Sequence, residues 1–161
     1  MHIRIHVRFS PKLLVRTLVL ATVLSSGAAH FALSSPGGEM LNQARSIDLL
    51  SLAVWHEARG ESAEGKRLVA SAILERVRDE RWPDTVEGVL AQSSQFFGLD
   101  FSRKPEDGAA DWAECMDAAW QALTTRPSVA ANHFHAVGVH PSWHDPTKVV
   151  KRVGGHVFLR L

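Results

Sequence analysis

From residue 44 onward the chain alternates apolar and polar positions with a helical period before changing character near its end. Ile47, Leu50 and Val54 recur at intervals of three and four, and three residues further along the same stripe stands Glu57, with Gly60 just beyond it as a terminator. This predicts a helix that carries a carboxylate on its core-facing side. A second helix is predicted from the cap residue Ser62 to about Arg78, with Leu68, Val69, Ala72, Ile73 and Val77 on one face and Trp82-Pro83 ending it. Asp84 followed by Glu87 fits a capping box, so a short helix with Val86, Val89 and Leu90 is expected. After an aromatic-bearing loop over 92–107, Ala113, Met116, Trp120 and Leu123 predict a third long helix over about 108–123, which Thr124 to Pro127 break. The remainder reads as extended segments: Val129 to Val137, Val149-Val150 and His156 to Leu159, with a turn-rich loop from Pro141 to Pro146. Helices first and a small antiparallel sheet last describe an α+β domain, not an alternating parallel-sheet fold.

The first 29 residues do not belong to that pattern. Arg4, Arg8, Lys12 and Arg16 form a basic, acid-free region ahead of the apolar run Thr17 to Leu24, and the small residues Ser25 to Ala29 follow. That order is the signature of an export signal cut after Ala28 or Ala29, and the run is shorter than the roughly 20 residues a membrane span needs. The alternative is an uncleaved leader that tethers the protein, the one membrane contact expected. Residues 30–44, with Ser34-Ser35-Pro36-Gly37-Gly38, read as a flexible lead-in, and 45–161 as the folded domain.

Charge changes the picture once the leader is set aside. The whole chain has 18 basic and 17 acidic side chains; without the four basic residues of the leader, 14 face 17, about −3. A mildly acidic domain of this kind has no clustered basic surface for nucleic acid. The lone Cys115 excludes a disulfide-stapled scaffold and is expected to be a small buried hydrophobe. The expected oligomeric state is a monomer.

The strongest candidate for chemistry is the segment Trp55-His56-Glu57-Ala58-Arg59-Gly60-Glu61. Desolvation on an apolar stripe raises a carboxyl pKa and keeps the group protonated near neutrality, as an acid that protonates a glycosidic oxygen requires. The competing reading is a buried Glu57 paired with Arg59 or Arg76. Glu61 and Glu64 fall at a turn and a first helical turn, where a solvated or capping role is expected, and Glu75 is left open. Five of the nine histidines, His133, His135, His140, His144 and His156, crowd the last part of the chain. His133 and His135 would share one face of a strand, yet no second histidine completes a His-Glu-x-x-His helix motif with His56-Glu57, and no Asp or Cys completes a triad. They are expected to line a polar groove, and no metal or cofactor is expected. Trp82, Phe96, Phe97, Phe134 and Trp143 flank the expected cleft, and the loop residue Trp143 is the best candidate for a sugar-stacking platform.

Taken in order, Ala53 to Glu61, Gly65, Val69, Ile73 to Val77, Pro83, Gln95-Phe96, Phe134-His135, Pro141-Ser142-Trp143 and His156-Val157-Phe158 resemble the catalytic domain of cell-wall hydrolases of the spore cortex-lytic enzyme type. The resemblance runs from about Leu49 to Arg160. It implies a lysozyme-like domain acting in the periplasm or cell envelope as a lytic transglycosylase. The expected partner is the peptidoglycan glycan strand, cut between N-acetylmuramic acid and N-acetylglucosamine. It also implies one essential glutamate at Glu57, with Arg59, Gln95, Phe96, His133, His135 and Trp143 as substrate contacts. The chain departs from that pattern at Glu75, where the family usually has Asn, at Phe97-Gly98, where a Ser is common, and at Leu159, where a Tyr is common. Two other readings compete: a zinc-dependent wall amidase or peptidase using the late histidines, and a catalytically silent glycan-binding protein.

Overall fold

The computed structural model describes residues 36–93, 96, 105, 110–126 and 129–161. The leader, the beginning of the lead-in, most of the 92–107 loop and Gln95 lie outside the described residues. Four helices precede a three-stranded sheet: α1 (Pro36–Ala58), α2 (Ala63–Val77), α3 (Val86–Leu90), α4 (Ala110–Thr124), then β1 (His133–Ala136), β2 (Val149–Val153) and β3 (His156–Leu159). Residues 44–161 form one compact unit.

Helix α1 starts at Pro36, eleven residues before Ile47 opens its apolar stripe, so 36–44 are helical where an irregular lead-in was expected. Pro36 suits a first helical turn and Glu39 supplies the favourable acid there. Periodicity could not mark this stretch because it buries no large apolar side chain: Met40 and Leu41 are each 72% exposed. At the other end the helix stops where Gly60 takes φ +86° and the Glu61 N–H donates to the Ala58 carbonyl at 3.0 Å.

Helix α2 begins as the sequence predicts. Ser62 is its cap, and its hydroxyl accepts from the Gly65 N–H at 3.2 Å. Leu68, Val69, Ala72 and Ile73 are buried. For α3 the cap is Thr85, not Asp84: Thr85 has the extended backbone a cap needs, and its Oγ1 accepts from the Gly88 N–H at 3.1 Å.

The face of α4 is also corrected. Met116 and Trp120 are 40% and 49% exposed, whereas Cys115, Ala118, Ala119 and Ala122 are buried. Those four also follow helical spacing, and their small size suits close packing of α4 on α2, its main partner. Lys66, buried on α2, reaches Glu114 and lies 3.8 Å from Asp111 on α4.

The sheet has the order β1-β3-β2 and is antiparallel throughout, with Phe134 opposite Phe158 and Ala136 opposite His156. β2 runs on to Val153, past the Val149-Val150 expected, with an irregularity between Val149 and Lys151. Phe158 is fully buried in the core formed with Leu50, Val54, Val69, Ile73 and Cys115. Its replacement by Ala costs about 3–5 kcal/mol by ordinary core truncation. The sheet therefore packs against the same core as the last turns of α1.

Candidate active site

Glu57 lies in the last turn of α1, three and seven residues after the fully buried Val54 and Leu50. Its side chain is accordingly half-buried, and burial raises its carboxyl above the ordinary value. Among the described residues no hydrogen bond or ion pair engages the carboxylate. The two arginines offered as structural partners are placed elsewhere. The Arg59 guanidinium lies over the Trp55 ring, 4.9 Å from its centroid. Arg76 is buried; its Nε donates to the Asn132 carbonyl at 2.6 Å, and its guanidinium lies over Trp82 and Phe96 at 5.9 and 5.6 Å. Desolvation pushes Arg76 down to about 10, still a cation at neutral pH. A carboxyl with raised pKa and no bound cation is suited to carry and deliver a proton.

Glu61 differs from its expected solvated role. Both carboxylate oxygens accept from the Gly155 N–H, at 3.1 and 3.2 Å, and Oε1 lies 3.7 Å from Nδ1 of the buried His156. The carboxylate thus ties the α1–α2 turn to the β2–β3 turn. Gly154 has φ +52°, and a Cβ there would sit 1.8 Å from Glu61 Oε2, so the turn needs glycine both for its backbone and for this contact. Burial lowers the His156 pKa, while Glu61 opposes the shift. Glu75 pairs with Arg78 at 2.9 Å and Arg160 at 3.1 Å, a structural bridge between α2 and the end of the chain. Glu64 pairs with Lys151 at 3.2 Å.

Three of the nominated contacts come together on β1 and the loop after it. The His133 and Trp143 rings lie 5.2 Å apart, His135 and Trp143 5.6 Å, and Trp82 approaches His133 at 5.8 Å. His135 is buried; its Nε2 lies 2.9 Å from His144 Nδ1, and its Nδ1 2.9 Å from the Ala136 carbonyl. Burial first, then Arg76 and Arg81, push His133 down to about 4, so it is neutral at ordinary pH. The residue that anchors His133 was not nominated. Asn132 is fully buried; its amide donates to the Leu161 carbonyl at 2.8 Å, and its Oδ1 accepts from the Leu161 N–H at 2.9 Å and faces His133 Nδ1 at 2.9 Å. Phe96 is buried beneath Arg76, and Arg59, in the turn just after α1, lies over Trp55. Among the described residues no three His, Cys, Asp or Glu side chains are grouped to hold a metal ion. Cys115 is buried as expected, and burial pushes its thiol up to about 11.

Known proteins resemble this chain in sequence and fold. The profile of a family described as Cell Wall Hydrolase matches residues 60–159, beginning three residues after Glu57. The spore cortex-lytic enzyme of Oceanobacillus iheyensis is 32% identical over 120 residues, covering 71% of this chain and 41% of the relative. That of Bacillus subtilis is 30% identical over 133 residues, covering 79% and 40%. The chain thus spans about two fifths of the length of these curated relatives. The catalytic domain of the Bacillus cereus SleB protein superposes with a TM-score of 0.60 at 27% identity, over 74% of this chain and 91% of that one. The catalytic domain of the germination-specific lytic transglycosylase SleB from Bacillus anthracis gives 0.62 at 26% identity, over 78% and 100%.

Proposed function

The chain belongs to the cell wall hydrolase family, and we propose that it cleaves peptidoglycan glycan strands as a lytic transglycosylase with Glu57 as acid and base. The observation that carries this reading is the half-buried Glu57, held above its ordinary pKa by burial and free of a paired cation among the described residues. The resemblance to a structure titled as a lytic transglycosylase catalytic domain supports the reaction type. One carboxyl is sufficient for it, whereas ordinary glycosidases use two. Glu61, the nearest carboxylate in sequence, is engaged by Gly155 and His156 and so is occupied as a fold tie.

In this mechanism protonated Glu57 gives its proton to the oxygen bridging N-acetylmuramic acid and N-acetylglucosamine. The bond from muramic C1 to that oxygen breaks. The muramic 6-hydroxyl oxygen then closes on C1, and the Glu57 carboxylate takes the hydroxyl proton. The products are a 1,6-anhydro end and a free sugar hydroxyl, with no water consumed. Trp143, His133, Arg59, Phe96 and Gln95 are proposed as the substrate-side residues, with the buried His135 supporting them from behind. The same reading assigns 1–29 as an export leader and 45–161 as the catalytic domain, working in the cell envelope as a monomer. Among the described residues no helix is long and apolar enough to cross a membrane.

Incubation of the full chain and its Glu57→Gln variant with purified peptidoglycan, followed by mass spectrometry of soluble products, tests the reading. Anhydro-muropeptides from the wild type and none from the variant are expected. Reducing-end sugars would overturn the transglycosylase step. Cut amide bonds together with bound zinc would replace the reading by the amidase, and wall binding without fragments by the silent binder.

A further inference from the structure

The protons on three histidines around Trp143 follow from their partners. Asn132 and Leu161 exchange two hydrogen bonds, which fixes the side-chain amide with its oxygen toward His133. That oxygen only accepts, so His133 Nδ1, 2.9 Å away, carries the hydrogen, and Nε2 of the neutral ring is left with a lone pair. The same logic holds at His135, whose Nδ1 faces the Ala136 carbonyl oxygen at 2.9 Å. Its Nε2 is therefore an acceptor, and His144 Nδ1 at 2.9 Å must be the donor to it. In the neutral His144 ring, Nε2 then also carries a lone pair.

Those two Nε2 atoms, of His133 and His144, have no partner among the described residues. Nor are they sealed from solvent: the buried, unpartnered side-chain atoms are His56 Nε2, Ser71 Oγ, Gln92 Oε1 and His156 Nδ1. Trp143, 41% exposed and next to His144 in the chain, is in contact with His133 and His135. A partly exposed indole beside two lone pairs that solvent can reach suits a ligand with a flat apolar face and hydrogen-bond donors at its rim. A pyranose with hydroxyl and acetamido N–H groups has both. A carboxylate suits it poorly, since its oxygens would meet the two lone pairs and, of the three side chains, the Trp143 indole N–H alone could donate to them.

We propose that Trp143, His133 Nε2 and His144 Nε2 form a subsite for an N-acetylhexosamine that bears no carboxylate, with both imidazoles accepting hydrogen bonds from the sugar. This rests on the glycan being the substrate, as proposed above. It makes His144 a substrate contact and His135 a positioning residue: buried, it holds His144 and thereby the Trp143 loop on β1. On a glycan with alternating sugars the subsite takes N-acetylglucosamine and turns away a muramic unit whose lactyl carboxylate is free.

The test is a titration of the full chain, labelled with ¹⁵N-histidine, with the trimer of N-acetylglucosamine. Ring ¹⁵N shifts should show the Nδ1–H form at His133, His135 and His144 in the free protein. Adding trimer should move Nε2 of His133 and His144 while leaving His135 in place. His144→Asn keeps a donor where Nδ1 stood but has no Nε2; it should weaken trimer binding about threefold to tenfold, the effect of one hydrogen bond, with an unchanged melting temperature. His144→Ala should additionally change Trp143 fluorescence. An Nε2–H form at His133 or His144, a trimer that fails to bind or leaves those nitrogens unmoved, or a His144→Asn variant that binds like wild type overturns the subsite. The peptidoglycan digestion separates this from the parent reading: a chain that cuts wall but fails these tests loses the subsite alone, and one that passes them without cutting wall loses the enzymatic reading alone.

Discussion

Replacing Gly154 by Ala should destabilise the fold chiefly through Glu61, although the two positions are 93 residues apart in sequence. Two costs arise. The backbone at φ +52° is left-handed, which penalises an L side chain by about 1 kcal/mol. The new Cβ would also fall 1.8 Å from Glu61 Oε2, so the carboxylate must leave, and with it go its bonds to the Gly155 N–H. A hydrogen bond to a charged group contributes about 1.5 kcal/mol at the lower end, appropriate here because the Glu61 side chain remains 20% exposed. Gly154→Ala should therefore cost about 2.5 kcal/mol and Glu61→Ala about 1.5 kcal/mol. Once Glu61 is already Ala, the Gly154 change should cost only the backbone penalty. The double variant should then match Gly154→Ala alone, with a coupling of about 1.5 kcal/mol. Urea unfolding of the four proteins, followed by tryptophan fluorescence and circular dichroism, measures each value. Strictly additive costs would refute the tie between the two turns.

Glu57→Gln should be inactive yet more stable than wild type at neutral pH. Because burial raises the folded pKa above 4.5, the native state holds a proton the unfolded chain has released; wild-type stability falls as pH rises from about 4.5 through the folded pKa, and the variant lacks this loss, as paired denaturation curves from pH 4 to 8 should show. Asn132→Leu removes the amide from Leu161 and His133 at a buried position and should cost about 2–4 kcal/mol in urea unfolding, the effect of several lost buried hydrogen bonds. With its thiol pushed up to about 11 by burial, Cys115 should resist iodoacetamide at pH 8 in the native protein and react fully in urea, as intact-mass measurement will report.

Large apolar residues at helical spacing made α1 and α2 readable: Leu50 and Val54 point inward as expected, and Ser62 caps where its hydroxyl predicts. The same rule misdirected α4, because Met116 and Trp120 are much larger apolar side chains than Ala and Cys. Two stripes of equal period competed there, and the choice was made by how closely α2 packs, which α4's own residues do not encode. Glu57 was legible because its stripe is local. Glu61 was not, since its partner stands 94 residues away. The one local sign of that tie was the Gly154-Gly155 pair between two extended segments. Asn132 had no local sign, because its role depends on Leu161, 29 residues away and brought to it only by the folded sheet and chain end.

The inner face of α4 also bears on how the chain can vary. Its four sealed positions, Cys115, Ala118, Ala119 and Ala122, are among the smallest side chains in the helix, while the bulky Met116 and Trp120 face outward. Added volume on the inner side has to come from moving α2, which carries Arg76 and Glu75 toward β1 and the chain end. In a mutagenesis library selected for wall cleavage, substitutions should therefore accumulate at Met116 and Trp120 and be nearly absent at Ala118, Ala119 and Ala122. At these five positions, the three alanines and the two bulky residues, tolerance to change runs opposite to what residue size suggests.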